Sequence, residues 1–231
     1  MKDKPELSVV IPAYREEENL KVLLPRLTKS LKETNHAYEV LVVDTESPMD
    51  DLASVCAENS VNYINRTGGN DYGDAIRTGI RESRGKYLLF MDADGSHSPE
   101  FITELMPYRN DFDVVVASRY VKGGDTENPK ILILMSWLLN LSYSFVLNLK
   151  CKDVSNSFKL YRADQIKDLG LYCQNFDIVE EILYKLNKKY PIKIKELPFT
   201  FKKRLFGESK RNLILFMITY LYTLLKLRFG K

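Results

Sequence analysis

Short apolar runs alternate with longer amphipathic segments in the first half of the chain. The segment Glu18–Leu31 places its leucines with helical spacing, which predicts a helix with one buried face. Shorter helices are predicted at Leu52–Ala57 and through Ile76 and Ile80. Largely apolar segments of strand length lie at Leu7–Ile11, Glu39–Val43, Val61–Ile64, Tyr87–Met91 and Asp113–Ala117, and a further strand is predicted at Ile192–Leu197. Such strands, separated by helices, predict an α/β fold with a mostly parallel sheet and helices on both faces.

Residues with functional potential directly follow three of these runs. Pro12 and Tyr14 come after the first run, Asp44 after the second, and Asp92 and Asp94 after the fourth. In open parallel sheets, ligands bind beyond the carboxyl ends of the strands. We therefore expect these residues to share one edge of the sheet and to form a binding site there.

The strongest chemical signal is the pair Asp92 and Asp94. Residues two apart on an extended chain face the same way, and two adjacent carboxylates repel each other unless a cation lies between them. Mg²⁺ or Mn²⁺ bridging diphosphate oxygens suits such a pair, and a simple loop or helix cap is the alternative. Asp44 is expected to accept hydrogen bonds from a base or ribose, or only to cap the next helix. His97 is expected to position the loop.

Two long apolar segments change the pattern in the second half. Ile131–Leu149 contains no charged residue, so it suits a membrane span, a buried core helix, or a helix in the membrane interface. Leu213–Leu225 is shorter and lies between Arg211 and Lys226, which leaves interfacial anchoring and a tilted marginal insertion open.

Composition narrows the class of protein. The chain has 231 residues, 45% of them hydrophobic, which suits one α/β domain. A net charge of +3 is too small to argue for a nucleic-acid partner, but the basic residues crowd the C-terminus, which suits phosphate, an anionic membrane surface or a solvated tail.

Three widely spaced cysteines argue against zinc and favour a reduced compartment. The N-terminus lacks a signal-peptide core, so the cytoplasmic side is expected.

With the Asp92–Asp94 pair placed, the chain resembles one family in seven segments that run in order across about nine tenths of its length. The family is the polyprenyl-phosphate (dolichol-phosphate) mannose synthases, which are family-2 inverting glycosyltransferases of GT-A (Rossmann-like) fold. The matching residues are Val10–Glu17; Val42–Asp44 with Ser47-Pro48; Tyr72-Gly73 with Ile76–Ile80; Asp92–Asp94 with Ser96-His97 and Pro99; Ser118–Tyr120 with Gly123-Gly124; Asp153–Arg162; and Arg204, Gly207 and Ser209-Lys210.

The resemblance implies a role for each matching residue. The nucleoside would be held by Pro12, Tyr14, Glu16 and Asp44. The metal and the diphosphate would be held by Asp92, Ala93 and Asp94, with Ser96 as a third metal ligand. The phosphates of donor and acceptor would be held by Arg119, Lys130, Arg204 and Lys210. The catalytic residues would be Asp94 and Arg119.

The sequence departs from the family pattern at several positions. Thr45 stands where a second acid usually follows Asp44, which leaves GDP and UDP open as donor nucleotides. Ser96 replaces a glutamine as the third metal ligand, and Lys130 is the nearest substitute for a basic residue usually found in the first acceptor helix. Asn156-Ser157-Phe158 replaces a serine-glycine-phenylalanine.

The resemblance implies transfer of a sugar, with mannose from GDP-mannose favoured, to a polyprenyl phosphate at the cytoplasmic face of a membrane. The alternatives are a family-2 transferase that uses a UDP-sugar or a polysaccharide acceptor, and a non-catalytic nucleotide-binding membrane adaptor. Residues 1–210 would form the catalytic domain, with 131–149 as acceptor-lipid helices, and residues 211–231 a membrane-associating helix. The loop 199–210 is expected to be mobile without ligand and to close over the phosphates of donor and acceptor. Oligomeric state is left open.

Overall fold

The computed structural model of the chain describes residues 4–207 and 213–229, with side chains of the last helix described from Ile218 onward. The strands are β1 (Leu7–Pro12), β2 (Tyr38–Asp44), β3 (Asn62–Asn65), β4 (Tyr87–Phe90), β5 (Val114–Ser118), β6 (Asp125–Thr126), β7 (Lys159–Arg162), β8 (Ile194–Pro198) and β9 (Thr200–Phe201). The helices are α1 (Glu17–Glu33), α2 (Leu52–Glu58), α3 (Tyr72–Glu82), α4 (Ile102–Leu105), α5 (Lys130–Val146), α6 (Ala163–Ile166), α7 (Ile178–Lys189) and α8 (Leu213–Phe229).

The main sheet has the strand order β3-β2-β1-β4-β7-β5-β8. Its strands run parallel except for β7, which is antiparallel to both β4 and β5. The predicted mostly parallel sheet is therefore confirmed, and the six predicted strands end within two residues of their expected bounds. A separate two-stranded sheet joins β6 to β9.

Hydrophobic cores cover both faces of the sheet, as predicted. Successive strand residues point to opposite faces, so Val9 and Ile11 pack with the leucines of α1, whereas Val10 packs with Ile76 and Ile80 of α3. Helices α5, α7 and α8 lie on the α3 side, and α2 and α4 lie on the α1 side. The carboxyl ends of β1, β2 and β4 are thereby held at one rigid edge.

The sequence does not predict strand β7, because two of its four residues, Lys159 and Arg162, are charged. Lys159 is nevertheless fully buried, and its ammonium donates hydrogen bonds to the carbonyl oxygens of Val154 and Asn156. These contacts satisfy a cation that is expensive to bury alone. They also hold the chain segment that enters β7 from the edge of the sheet where β4 ends.

The two apolar segments form helices α5 and α8, which pack against each other and against the core. The Tyr143 hydroxyl of α5 donates to the Tyr220 carbonyl of α8 at 2.6 Å, and Thr223 of α8 donates to Asp177 at 2.5 Å. Within residues 4–207 and 213–229, no helix combines the length and apolarity that crossing a bilayer requires. The division of the chain at residues 210 and 211 stays a prediction.

Glu180 of α7 is a buried acid with an unusual environment. It is fully buried, and neither of its carboxyl oxygens has a hydrogen-bond partner in the described part of the chain. Burial raises its pKa from 4.5 to about 8, against the opposing charge of Lys159. The folded protein therefore retains a proton that the unfolded chain releases between those two pH values.

We expect the free energy of unfolding to fall as pH rises from 4.5 to about 8, because the unfolded state binds fewer protons at Glu180 in that range. Glu180→Gln imitates the protonated acid and should flatten this part of the curve, with its largest stabilisation at the upper end. Denaturant unfolding across the range measures both slopes. The exposed Glu104→Gln serves as control. Equal slopes for Glu180→Gln and the wild type would contradict the assignment.

Candidate active site

Asp92 and Asp94 lie directly after β4 at the carboxyl edge, and both are partly exposed. Asp92 Oδ1 accepts a hydrogen bond from Ser157 Oγ at 2.9 Å. Asp94 Oδ1 accepts one from the Ser96 backbone N–H at 3.0 Å. Each carboxylate is thus held through one oxygen, and no described residue hydrogen-bonds to Oδ2 of Asp94. This arrangement leaves acceptor capacity for a ligand at the predicted edge.

His97 is completely buried beside this pair. Its Nδ1 accepts a hydrogen bond from the Asp92 backbone N–H at 3.0 Å, so Nε2 carries the proton and donates to Asn156 Oδ1 at 3.0 Å. Burial lowers the pKa of the ring, which keeps it neutral. Because both nitrogens are engaged, His97 positions the loop, as predicted, and is not available as a metal ligand or base.

The residues present fit a divalent cation held partly by a substrate. The described chain contains no cluster of three or more His, Cys, Asp or Glu side chains that could hold a metal by themselves. Mg²⁺ needs only one or two carboxylates when diphosphate oxygens and water complete its coordination shell. Asp92 and Asp94 supply these carboxylates. Ser96 is fully buried and its hydroxyl has no hydrogen-bond partner among the described residues. Its role as third ligand stays a prediction.

The predicted nucleoside-binding residues meet at the ends of β1 and β2, but Asp44 is turned inward. Asp44 is 1% exposed and accepts hydrogen bonds from the Thr45 N–H at 2.7 Å and the Tyr63 hydroxyl at 2.9 Å. Burial and this contact raise the pKa of Tyr63 to about 12. Pro12 is the buried end of β1, and Tyr14 beyond it is 43% exposed. Among these residues, Tyr14 thus offers the most accessible surface for a base.

Arg66 organises this edge, and sequence reasoning missed it because a single arginine after β3 carries no recognisable signal. The residue is 3% exposed. Its guanidinium donates hydrogen bonds to the backbone carbonyls of Ala13, Val43, Asp44, Asn70 and Asp71. It therefore ties the ends of two strands to the loop that starts α3.

Arg119 follows β5, and the structure places it against a partner that the sequence did not predict. Its Nε and Nη2 donate to the Asp153 carboxylate at 2.8 and 2.6 Å, and Nη2 also donates to Ser155 Oγ at 2.9 Å. Burial opposes the charge of Arg119, but Asp153 outweighs burial and raises the pKa of the guanidinium. The charge is thus neutralised within the protein, and a catalytic role for Arg119 stays a prediction.

The segment after β9 lies over the Asp92–Asp94 loop. The Leu205 N–H donates to the Asp94 carbonyl at 2.9 Å, and the Lys202 N–H donates to the Ser96 carbonyl at 3.1 Å. Between these contacts, Gly95 has φ +81°, and a Cβ there would come within 2.5 Å of the Leu205 side chain. A glycine is required at this position both by the backbone angle and by the close approach.

Glu16 and Arg204, which were predicted to bind different parts of the donor and acceptor, are paired with each other. Arg204 Nη2 lies 3.0 Å from Glu16 Oε1. The pKa of Glu16 is raised above its usual value, mainly by burial and also by the nearby negative charge of Asp94. The hydrogen bond from Asn19 and the charge of Arg204 act in the opposite direction. Lys130 is exposed at the start of α5, and no described hydrogen bond joins it to these residues. Lys210 lies outside the described residues, and mobility of the loop 199–210 stays a prediction.

An open, mostly parallel sheet with a candidate site at the carboxyl edge is the arrangement found in nucleotide-binding α/β domains. The sequence profile of Glycosyl transferase family 2 matches residues 8–170, and the chain belongs to that family.

Two relatives are named for related reactions. A dolichol-phosphate mannosyltransferase of Pyrococcus furiosus is 34% identical over 230 residues, which cover 96% of this chain and 64% of that protein. The chain therefore spans less than two thirds of that relative's length. An undecaprenyl-phosphate mannosyltransferase of Micrococcus luteus is 34% identical over 222 residues, covering 88% of this chain and 86% of that protein.

Solved structures share the fold at low identity. A mycobacterial protein aligns with a TM-score of 0.76 at 14% identity, covering 97% of this chain and 75% of that one. Glucosyl-3-phosphoglycerate synthase of Mycobacterium tuberculosis, in complex with Mg²⁺ and UDP, aligns with a TM-score of 0.73 at 15% identity, covering 97% and 79%. These likenesses confirm the GT-A-like α/β fold.

Proposed function

We propose that the chain is an inverting glycosyltransferase that moves a sugar from a nucleoside-diphosphate sugar to a polyprenyl phosphate at the cytoplasmic face of a membrane. The observation that carries this proposal is the Asp92–Asp94 pair, held at the carboxyl end of β4 with acceptor oxygens left for a ligand. The names of the two relatives at 34% identity support a polyprenyl-phosphate acceptor and favour mannose as the sugar.

The chain's own residues suit a direct displacement. Asp92 and Asp94 would hold Mg²⁺ or Mn²⁺, which supplies charge neutralisation for the departing diphosphate. A phosphate monoester is largely dianionic near neutral pH, so its oxygen needs no general base. This agrees with His97, the histidine nearest the site, having both nitrogens engaged. The acceptor oxygen would form a bond to the anomeric carbon as the bond to the diphosphate breaks on the opposite side, with inversion.

The exposed faces of α5 and α8 support a membrane location. Large apolar side chains on both helices face outward: Ile131, Leu134, Trp137, Leu138, Leu141, Phe145, Ile218, Leu221, Tyr222, Leu225 and Phe229. Phe145 is 84% exposed and Phe229 is 72% exposed. An exposed apolar patch of this kind, with Lys226 and Arg228 at the end of α8, suits a helix pair lying in the membrane interface.

The donor nucleotide is the open part of the proposal. The mannosyltransferase relatives favour GDP-mannose, whereas the UDP in a solved structure of the same fold favours a UDP-sugar. Thr45 after Asp44 leaves both nucleotides open. A panel of labelled GDP- and UDP-sugars with polyprenyl phosphate, extracted into organic solvent, decides between them. Label carried only from UDP-sugars would overturn the GDP-mannose assignment. Nucleotide binding without any transfer, to lipid or to a polysaccharide, would favour an adaptor.

Arg204→Ala should lower transfer by about 10-fold or more, because charge-assisted hydrogen bonds to phosphate are each worth about 1.5–3 kcal/mol. For this role Arg204 must exchange Glu16 for a phosphate. The chain already brings this segment to the site, because the N–H of the next residue, Leu205, donates to the Asp94 carbonyl at 2.9 Å. Initial rates in detergent micelles without anionic lipid measure the effect. The exposed neighbour Lys203→Ala is the control. An unimpaired Arg204→Ala enzyme would show that this arginine does not act on the phosphates.

A further inference from the structure

Asn140 is a buried polar residue in the middle of the apolar helix α5. It is 1% exposed, and its side chain exchanges two hydrogen bonds with one residue outside the helix. Its Nδ2 donates to Ser155 Oγ at 2.9 Å, and its Oδ1 accepts from the Ser155 N–H at 2.9 Å. Nδ2 also donates to the Ser136 carbonyl at 2.8 Å. This reciprocal pairing fixes the distance between α5 and the segment that contains Ser155.

That segment, residues 153–157, contacts the candidate active site at each polar position. Ser155 Oγ accepts from Arg119 Nη2 at 2.9 Å, and Asp153 binds the same guanidinium. Ser157 Oγ donates to Asp92 at 2.9 Å, and Asn156 holds the ring of His97. A displacement of the segment would therefore move Arg119 and the Asp92 carboxylate together.

The outer face of α5 carries the exposed apolar residues that would meet a lipid surface. Trp137, one turn before Asn140, is 46% exposed, and Leu141, the next residue after it, is 52% exposed. The same helix thus presents one face to the proposed membrane and holds the active-site segment with the other. We propose that Asn140 is a positioning residue that couples the seating of α5 on a lipid surface to the placement of residues 153–157. This inference rests on the membrane location proposed above.

Such coupling has a measurable consequence. If seating on lipid changes the affinity for nucleotide by some factor, nucleotide must change the affinity for lipid by the same factor. An asparagine that only satisfies buried hydrogen bonds would affect stability and leave both affinities independent. A coupling role and a purely structural role are therefore distinguished by whether nucleotide changes the affinity for lipid. Loss of activity alone would not separate them.

Trp137 is the only tryptophan of the chain, so its fluorescence reports the contact of α5 with lipid. Vesicles of equal parts phosphatidylcholine and phosphatidylglycerol are titrated with and without saturating Mg²⁺ and nucleotide, using GDP and UDP in turn. The wild type should show at least about a fivefold change in vesicle affinity with the nucleotide that binds. For Asn140→Ala, the ratio of the vesicle affinity with nucleotide to the affinity without it should be about one. Ser142→Ala, whose exposed hydroxyl bonds only within α5, should keep the wild-type ratio.

Ser155→Ala removes the hydroxyl that joins Asn140 to Arg119, and it should also bring the ratio to about one. This variant tests the coupling if Asn140→Ala fails to fold. A wild-type ratio of one, or a fivefold ratio that survives both substitutions, would overturn the coupling. If the wild type transfers sugar and binds vesicles equally well with and without nucleotide, the coupling is wrong and the proposed function stands. Wild-type protein that binds no vesicles removes the membrane location and this inference together.

Discussion

Asp94→Asn should lower kcat for sugar transfer by at least about 100-fold, the effect seen when a group that stabilises developing charge is removed. Asparagine keeps an oxygen that can accept from the Ser96 N–H, as Asp94 Oδ1 does at 3.0 Å, so the turn should survive. What is lost is the negative charge that, in the proposed mechanism, would hold the cation beside the diphosphate. Steady-state kinetics with labelled donor, alongside thermal unfolding, measures the two effects separately.

The exposed Asp111→Asn is the matched control, since it removes a carboxylate without touching the edge of the sheet. It should leave both kcat and the melting temperature unchanged. Adding excess EDTA to the wild type should reproduce the Asp94→Asn defect, and excess Mg²⁺ or Mn²⁺ should reverse it. Full wild-type turnover in EDTA would contradict a metal at Asp92 and Asp94.

The second large effect concerns stability. Asp153→Ala should lower the free energy of unfolding by about 3–5 kcal/mol, because it leaves a buried guanidinium without its partner. Arg119 is nearly enclosed, and Asp153 accepts hydrogen bonds from its Nε, its Nη2 and its backbone N–H. Urea unfolding followed by circular dichroism measures the loss.

Replacing both partners separates a role in stability from a role in catalysis. The double variant Arg119→Met with Asp153→Asn leaves no unpaired charge and keeps an acceptor oxygen for the Arg119 backbone N–H. It should recover most of the stability, since uncharged replacements of buried ion pairs are often neutral or stabilising. If Arg119 also binds an anionic group of the substrates, transfer stays depressed in this stable variant. Recovery of both stability and transfer would limit Arg119 to a structural role. A double variant no more stable than Asp153→Ala would contradict the ion-pair explanation.

The parallel strands were predictable because strands buried on both faces are continuously apolar. Runs such as Leu7–Ile11 and Tyr87–Met91 have this pattern, and the structure places strands there. Strand β7 was not predictable by the same reasoning, because Lys159 is buried only through backbone carbonyls that the folded segment supplies. A local pattern does not record such compensation.

Some features of the candidate site were likewise predictable from the sequence, and others were not. The position of Asp92 and Asp94 follows from strand order and from the rule that ligands bind at carboxyl ends. The pairing of Arg119 with Asp153 and of Glu16 with Arg204 does not, because the partners are 34 and 188 positions apart. Only the tertiary structure shows that these charges meet each other and are not all free to face a ligand.

The reversed direction of β7 has a consequence for how such a domain diversifies. The chain leaves the sheet after Ser118 and returns at Lys159 on the same edge, because β7 starts where β4 and β5 end. The excursion between them includes α5 and the segment 153–157. Its length and sequence can change without shifting the register of any strand in the main sheet, because the one strand within it, β6, belongs to the separate two-stranded sheet. Changes in this excursion can therefore accumulate while the half of the sheet that carries Asp44 and Arg66 stays the same.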